Sequence, residues 1–387
     1  MPEEGAGKGL AADRYYRDYG SRARELKRQG KKILGYLCAF VPVEIIVAAG
    51  FIPFRIKGDV NEPITKADTE METIVCPLVR SCFDMALKGK YEFLDGIVIP
   101  HACDSICRTY DVWKYTLNLP YSHFINMPHT TDKPSLDFYK AELNTFRTSL
   151  DKFAGREISD QELAQAVKLH NQNRAKVREL YELRKASPPL ISGTEVARVL
   201  VAVVSIPVEE SIKMIGDVIE EIKYREGVPA RKQAKIMVVG AQVDSVAFIK
   251  LIEDSGAWVV ADDLCPGARE FFADVTVTTD PIDGIAERYL RKVKCGRTYR
   301  EMKGSYEEYL EDRFGHMSQM IKDFNVDGVV LYIYKYCDPY GFEVPQIKSF
   351  IESKGTPVLY LEDEYSMSTI GRLRTRIQAF LELLGSK

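Results

Sequence analysis

The sequence predicts an α/β protein of two doubly wound parallel-sheet lobes joined by a helical region, and three observations predict it. Short apolar strand runs alternate with helical segments before residue 134, the alternation resumes after residue 231, and the stretch between carries charged residues at helical spacing. The expected units are 1–134, 135–230 and 231–387. Repeated βα units require parallel pairing, because a crossover helix returns the chain to start the next strand in the same direction.

The elements follow in order. Residues 14–31 have little apolar character and are expected to form one polar lead-in helix. Residues 32–37 read as a strand, Pro42 and Gly50 bracket a helix over 42–49, and 51–56 read as the next strand. Helix 76–88, strand 94–100, helix 104–117 and strand 121–126 complete the first lobe. Long charged helices, among them 160–185, fill the connector. The second lobe is expected to comprise strand 234–240, helix 244–254, strand 258–261, strand 327–336, helix 344–353, strand 357–361 and a final helix over 370–384.

A composition of 45% hydrophobic and 28% charged residues is that of an ordinary globular protein. The net charge of -3, with no Lys/Arg stripe, argues against nucleic acid as the main partner. Residues 1–12 lack the apolar core of a secretory signal, and no apolar run approaches the ~20 residues that span a bilayer, so a cytoplasmic protein without a membrane partner is expected. Eight cysteines in 387 residues are too sparse for a disulfide framework, which leaves free thiols or metal ligands.

Two of these cysteines end strand patterns and are each followed by aspartate, at Cys103-Asp104 and Cys337-Asp338. Ligands of open α/β sheets bind beyond the carboxyl ends of the strands, so thiols from both lobes can meet in an interlobe cleft. Cys76 stands at a helix start beside Pro77, where unpaired N–H groups favour a thiolate. Three thiolates from separate loops, without histidine at ligand spacing, suit an iron-sulfur cluster better than structural zinc. The competing reading is that all eight are ordinary buried cysteines. Cys82 and Cys107 are expected to pack, Cys38 and Cys265 are candidates to line the cleft, and Cys295 is expected at the surface.

Other residues leave two readings open. His101, beside the Cys103 turn, is a candidate proton donor or a structural histidine. Glu44 is a candidate base in the cleft, or a residue favoured by a helix dipole. Asp262-Asp263 orient a polar ligand or cap the next helix. Gly240-Ala241-Gln242 is placed to cradle an anion, but no dinucleotide or P-loop fingerprint is present.

Taken together, several stretches carry a resemblance: Pro42-Val43-Glu44-Ile45-Ile46, Cys76 at its helix start, Asp95-Gly96 to Cys103-Asp104, Val260-Ala261-Asp262-Asp263, Lys335-Tyr336-Cys337-Asp338-Pro339 and Gly371-Arg372-Leu373-Arg374. Over residues 30–385 the chain resembles a smaller cluster-binding subunit of the 2-hydroxyacyl-CoA dehydratase and benzoyl-CoA reductase family. The resemblance implies a 4Fe-4S cluster held by Cys76, Cys103 and Cys337, with one iron left open. It further implies a related cluster-binding subunit, an ATP-hydrolysing iron-sulfur activator that supplies single low-potential electrons, and a CoA thioester substrate. The expected activity is that of the iron-sulfur subunit of an ATP-dependent benzoyl-CoA-type reductase. The alternatives are a 2-hydroxyacyl-CoA dehydratase subunit, a double-cubane cluster reductase drawing three more ligands from Cys38, Cys82, Cys107, Cys265 and Cys295, and a scaffold subunit with an empty site.

Overall fold

The computed structural model describes residues 9–225, 232 and 234–385. Its strands are β1 (Ile33–Tyr36), β2 (Ile52–Arg55), β3 (Gly96–Pro100), β4 (Tyr121–Ile125), β5 (Ala234–Gly240), β6 (Ala257–Asp263), β7 (Gly328–Tyr334) and β8 (Val358–Asp363). They form two four-stranded sheets of order β2-β1-β3-β4 and β6-β5-β7-β8, with every pair parallel. The α/β expectation holds, and both sheets share one topology. In each, the chain steps to one side of its first strand and then crosses to the other. That reversal opens a crevice beyond β1 and β3, and another beyond β5 and β7.

The strands form where apolar residues are buried on both faces, as parallel sheets require. All seven residues of β7 are buried, and they divide by period two: Val330, Tyr332 and Tyr334 join one core, while Val329, Leu331 and Ile333 join the other. The first core runs on from the β1–β4 sheet without a break, so one face of the second sheet packs toward the first lobe. Each fully buried Val, Leu or Ile contributes roughly 1.5–3 kcal/mol.

Four helices, Lys133–Ala154, Asp160–Glu182, Gly193–Val203 and Val208–Lys223, connect the sheets. Ser159 with Glu162 and Ser192 with Glu195 form capping boxes that fix two of their starts, at about 1 kcal/mol per cap. Helix Asp160–Glu182 packs on Val43–Ala48 of the first lobe, and Gly193–Val203 packs on Val246–Asp254 of the second. The connector therefore touches both lobes.

Some elements differ from expectation. The lead-in is two short helices, Asp13–Arg17 and Ser21–Arg28, because Gly20 adopts a left-handed φ of 89° between them. The last crossover helix starts at Asp338 rather than 344, since Tyr340, Val344 and Ile347 bury against the second core and hold its first turns helical despite Pro345. Helix Tyr306–Asp323 escaped the sequence reading. It is mostly polar, and its start is marked by the Ser305 and Glu308 capping box. No helix among the described residues is long and apolar enough to cross a membrane.

Candidate metal centre

Cys76, Cys103 and Cys337 each occupy the N-cap of a helix, preceding Pro77–Leu87, Asp104–Thr116 and Asp338–Ser353. The first turn of a helix leaves backbone N–H groups without partners and carries partial positive charge, which suits an anionic sulfur. The nearby N–H groups of Leu78 and Val79 at Cys76, of Ile106 at Cys103 and of Tyr340 at Cys337 draw the thiols down against burial, with no side-chain cap hydrogen bond formed. The Cys76 N–H also donates to Ser105 Oγ at 3.4 Å, joining the first two helix starts.

These three thiols lie near enough to act on one another electrostatically. Burial pushes the Cys103 thiol well up from its ordinary range, and Cys76 and Cys337 push it further by repulsion. Burial likewise raises Cys337, and Cys76 adds to it. They form a first group of three, drawn from both lobes and linked electrostatically.

A second triad adjoins the first. Burial raises the Cys38 thiol, followed by repulsion from Cys265 and Cys295, while Cys295 is raised by burial and by Cys265. Cys38 leaves β1 with a left-handed φ of 70°, and Cys265 follows β6. The triads meet where Cys103 feels Cys38 and where Cys337 feels Cys265 and Cys295. Seven of the eight cysteines are thus linked by mutual electrostatic effects, Cys82 through Cys76. Cys295, expected at the surface, is half-buried and packs against both cores. Cys82 is fully buried as expected, and Cys107 lies half-exposed outside both triads.

Among the described residues, no three His, Cys, Asp or Glu form a group that could hold a metal ion. In donor chemistry, soft sulfurs at helix N-caps are of the kind that iron-sulfur clusters take.

Buried guanidiniums surround the second triad. Arg269 donates from Nη1 to Cys265 Sγ at 3.2 Å and from Nη2 to Asp263 Oδ2 at 2.8 Å. Burial opposes the Asp263 charge, but Arg269 and His316 outweigh it and hold the carboxyl at about 2. Arg55 pairs with Glu270 and bonds Gln242 at 3.4 Å. Asp262 accepts from the Ala268 N–H at 2.9 Å, from Tyr181 Oη at 2.8 Å and from Arg184 at 3.1 Å. Asp262 thus caps the start of the Ala268–Phe271 helix, the second role read from sequence, and both aspartates also hold ion pairs that the sequence did not suggest. The arginines escaped the sequence reading, although Arg297, two residues after Cys295, and Arg269, four after Cys265, both carried a signal of proximity.

Glu44 is fully buried, pairs with Arg174 of the connector and accepts from Tyr289 Oη at 2.9 Å. Burial alone would raise its carboxyl, but Arg174, His170 and Arg288 draw it down to about 2. His101 sits beside the Cys103 turn with Nδ1 3.3 Å from Asn126 Oδ1 and its ring 4.9 Å from that of His129. At Gly240 an added Cβ would meet the Tyr332 carbonyl oxygen at 2.1 Å, so glycine there serves close strand approach. Beside the first triad lies a cavity of about 510 Å³, lined in part by Pro77, Arg80, Lys335 and Tyr336, neighbours in sequence of Cys76 and Cys337.

Sequence comparison relates the chain to known proteins. Residues 38–384 match the family described as 2-hydroxyglutaryl-CoA dehydratase, D-component. The chain is 28% identical over 370 residues to "Putative dehydratase subunit YjiM" of Escherichia coli, covering 93% of both chains. It is 25% identical to the "(R)-phenyllactyl-CoA dehydratase beta subunit" of Clostridium sporogenes, covering 93% of this chain and 94% of that one. It is 26% identical to a benzoyl-CoA reductase subunit of Thauera aromatica, covering 88% of each. The chain belongs to the 2-hydroxyacyl-CoA dehydratase and benzoyl-CoA reductase family.

Proposed function

We propose that this chain is a low-potential iron-sulfur reductase component whose centre uses both cysteine triads, in the manner of a double-cubane cluster. The observation that supports this reading is the mutual electrostatic influence of Cys38, Cys265 and Cys295, which extends to Cys103 and Cys337 of the first group. A bound centre of this class supplies one-electron storage at low potential. The chain's part is to hold six sulfurs in a dry cleft, with helix N-termini at one triad and guanidiniums at the other. An ATP-hydrolysing iron-sulfur activator is the proposed electron donor.

The second reading is a single 4Fe-4S cluster on Cys76, Cys103 and Cys337 in a subunit that works with a related partner on a CoA thioester, as a benzoyl-CoA-type reductase or a 2-hydroxyacyl-CoA dehydratase. The names of the relatives favour it. His101, on the Cys103 turn, is then the group placed to hold a proton near the centre. Iron and sulfide counts on anaerobically purified protein separate the readings. About eight irons per chain, falling in Cys265→Ser, supports both triads, whereas about four irons unchanged by that substitution removes the first reading. Protein without iron points to a scaffold subunit. Turnover of benzoyl-CoA against a 2-hydroxyacyl-CoA, with activator and ATP, then assigns the reaction.

A further inference from the structure

A buried arginine ordinarily has a carboxylate beside it, because an isolated charge in a protein interior is costly. Around this centre Arg55 pairs with Glu270, Arg174 with Glu44, Arg184 with Asp262 and Arg269 with Asp263. Arg297 is as deeply buried, and among the described residues no carboxylate lies within ion-pairing distance of it. Its guanidinium instead donates to four backbone carbonyls: His101 at 2.9 Å, Ala102 at 3.2 Å, Met127 at 3.2 Å and Pro128 at 2.8 Å. Carbonyl dipoles solvate the charge without cancelling it. The groups near Arg297 able to supply negative charge are Cys295, Cys38, Tyr139 and Cys103, whose sulfurs come from both triads.

We propose that Arg297 is the built-in counter-cation of the cysteine centre, a positioning residue that offsets the negative charge held by the two triads while its carbonyl bonds fix the turn carrying Cys103. Resting on the iron-sulfur reading above, this assigns to a residue of the second lobe the control of a loop in the first. A fixed positive charge in a water-poor site stabilises the more reduced, more negative state of whatever the thiolates hold, so removing it lowers the potential. Arg55, Arg174, Arg184 and Arg269 do this less, since each is paired with its own carboxylate, and Arg288, which also donates to backbone carbonyls, has Glu44 and Glu270 rather than cysteines around it.

The test compares Arg297→Gln with Arg297→Lys in the full-length protein, measuring iron per chain and the midpoint potential by anaerobic titration followed by electron paramagnetic resonance. The Gln variant should keep its iron and shift the reduction equilibrium at least tenfold toward the oxidised form, about 59 mV for one electron. The Lys variant, which keeps the charge, should recover at least half of that shift. An iron-replete Gln variant with unchanged potential overturns the proposal, as does a Lys variant that shifts as far as Gln. If Gln loses its iron, the Lys variant decides. Retained iron and potential support the charge role, whereas iron loss in both variants means that the carbonyl bonds alone matter and overturns it. The wild-type iron count separates this inference from the two-triad reading. About four irons removes that reading while Arg297, beside Cys103, remains testable by the same shift.

Discussion

Replacing Glu44 by glutamine should destabilise the protein by about 3 kcal/mol, a figure reached by two routes. Glu44 is fully enclosed, holds Arg174 on one oxygen and Tyr289 Oη on the other, and lies near Arg288. Breaking a buried ion pair by removing one partner typically costs 3–5 kcal/mol, because the remaining charge is left uncompensated. Independently, a carboxyl held at about 2 against an ordinary 4.5 is stabilised in its charged form by about 3 kcal/mol, at 1.36 kcal/mol per unit. The routes agree. The three partners come from a first-lobe helix, the connector and the segment at residue 289, so the same loss should loosen the seam that brings the triads together. Urea unfolding at pH 7, with iron content followed in parallel, measures both effects. A loss below about 1 kcal/mol would refute this structural role of Glu44. Unchanged stability and iron with abolished activity would instead make Glu44 a base in the reaction.

The same cluster predicts a pH dependence. The Glu44 carboxyl is depressed, so its contribution is complete above about pH 4.5 and fades as pH falls through about 2. Burial lowers His170 from 6.5 to about 4, so the stability tied to its neutral form is complete above 6.5 and lost as pH falls through 4. In apo protein, His170→Gln should flatten the acid limb of the stability curve between those values. Gly240→Ala should cost more than about 2 kcal/mol in urea unfolding, because its Cβ meets backbone rather than a movable side chain. Cys107→Ser lies outside both triads and should leave iron content unchanged. A fall in iron would place Cys107 among the ligands.

The sequence by itself determined the α/β alternation, the parallel strands, the placement of Cys76 and Cys103 at helix starts and that of Cys337 beyond a strand end, whereas the helix that Cys337 starts was decided by the burial of Tyr340, Val344 and Ile347. Strand and helix periodicities are local, and a proline or aspartate just inside a helix marks its beginning within a few residues. Cys38 and Cys265 were legible as strand-end thiols, but nothing local joins them to Cys295, which follows no strand and sits next to Lys294. Their meeting depends on two sheets facing each other across more than 200 residues, a contact no periodicity encodes. Glu44 shows the same limit. Its place in a first turn suggested a helix dipole, whereas its partners at 174 and 289 are supplied only by packing. Charge compensation at Arg297 is likewise a tertiary property, because the presence or absence of a carboxylate near a buried cation is decided by neighbours in space rather than in sequence.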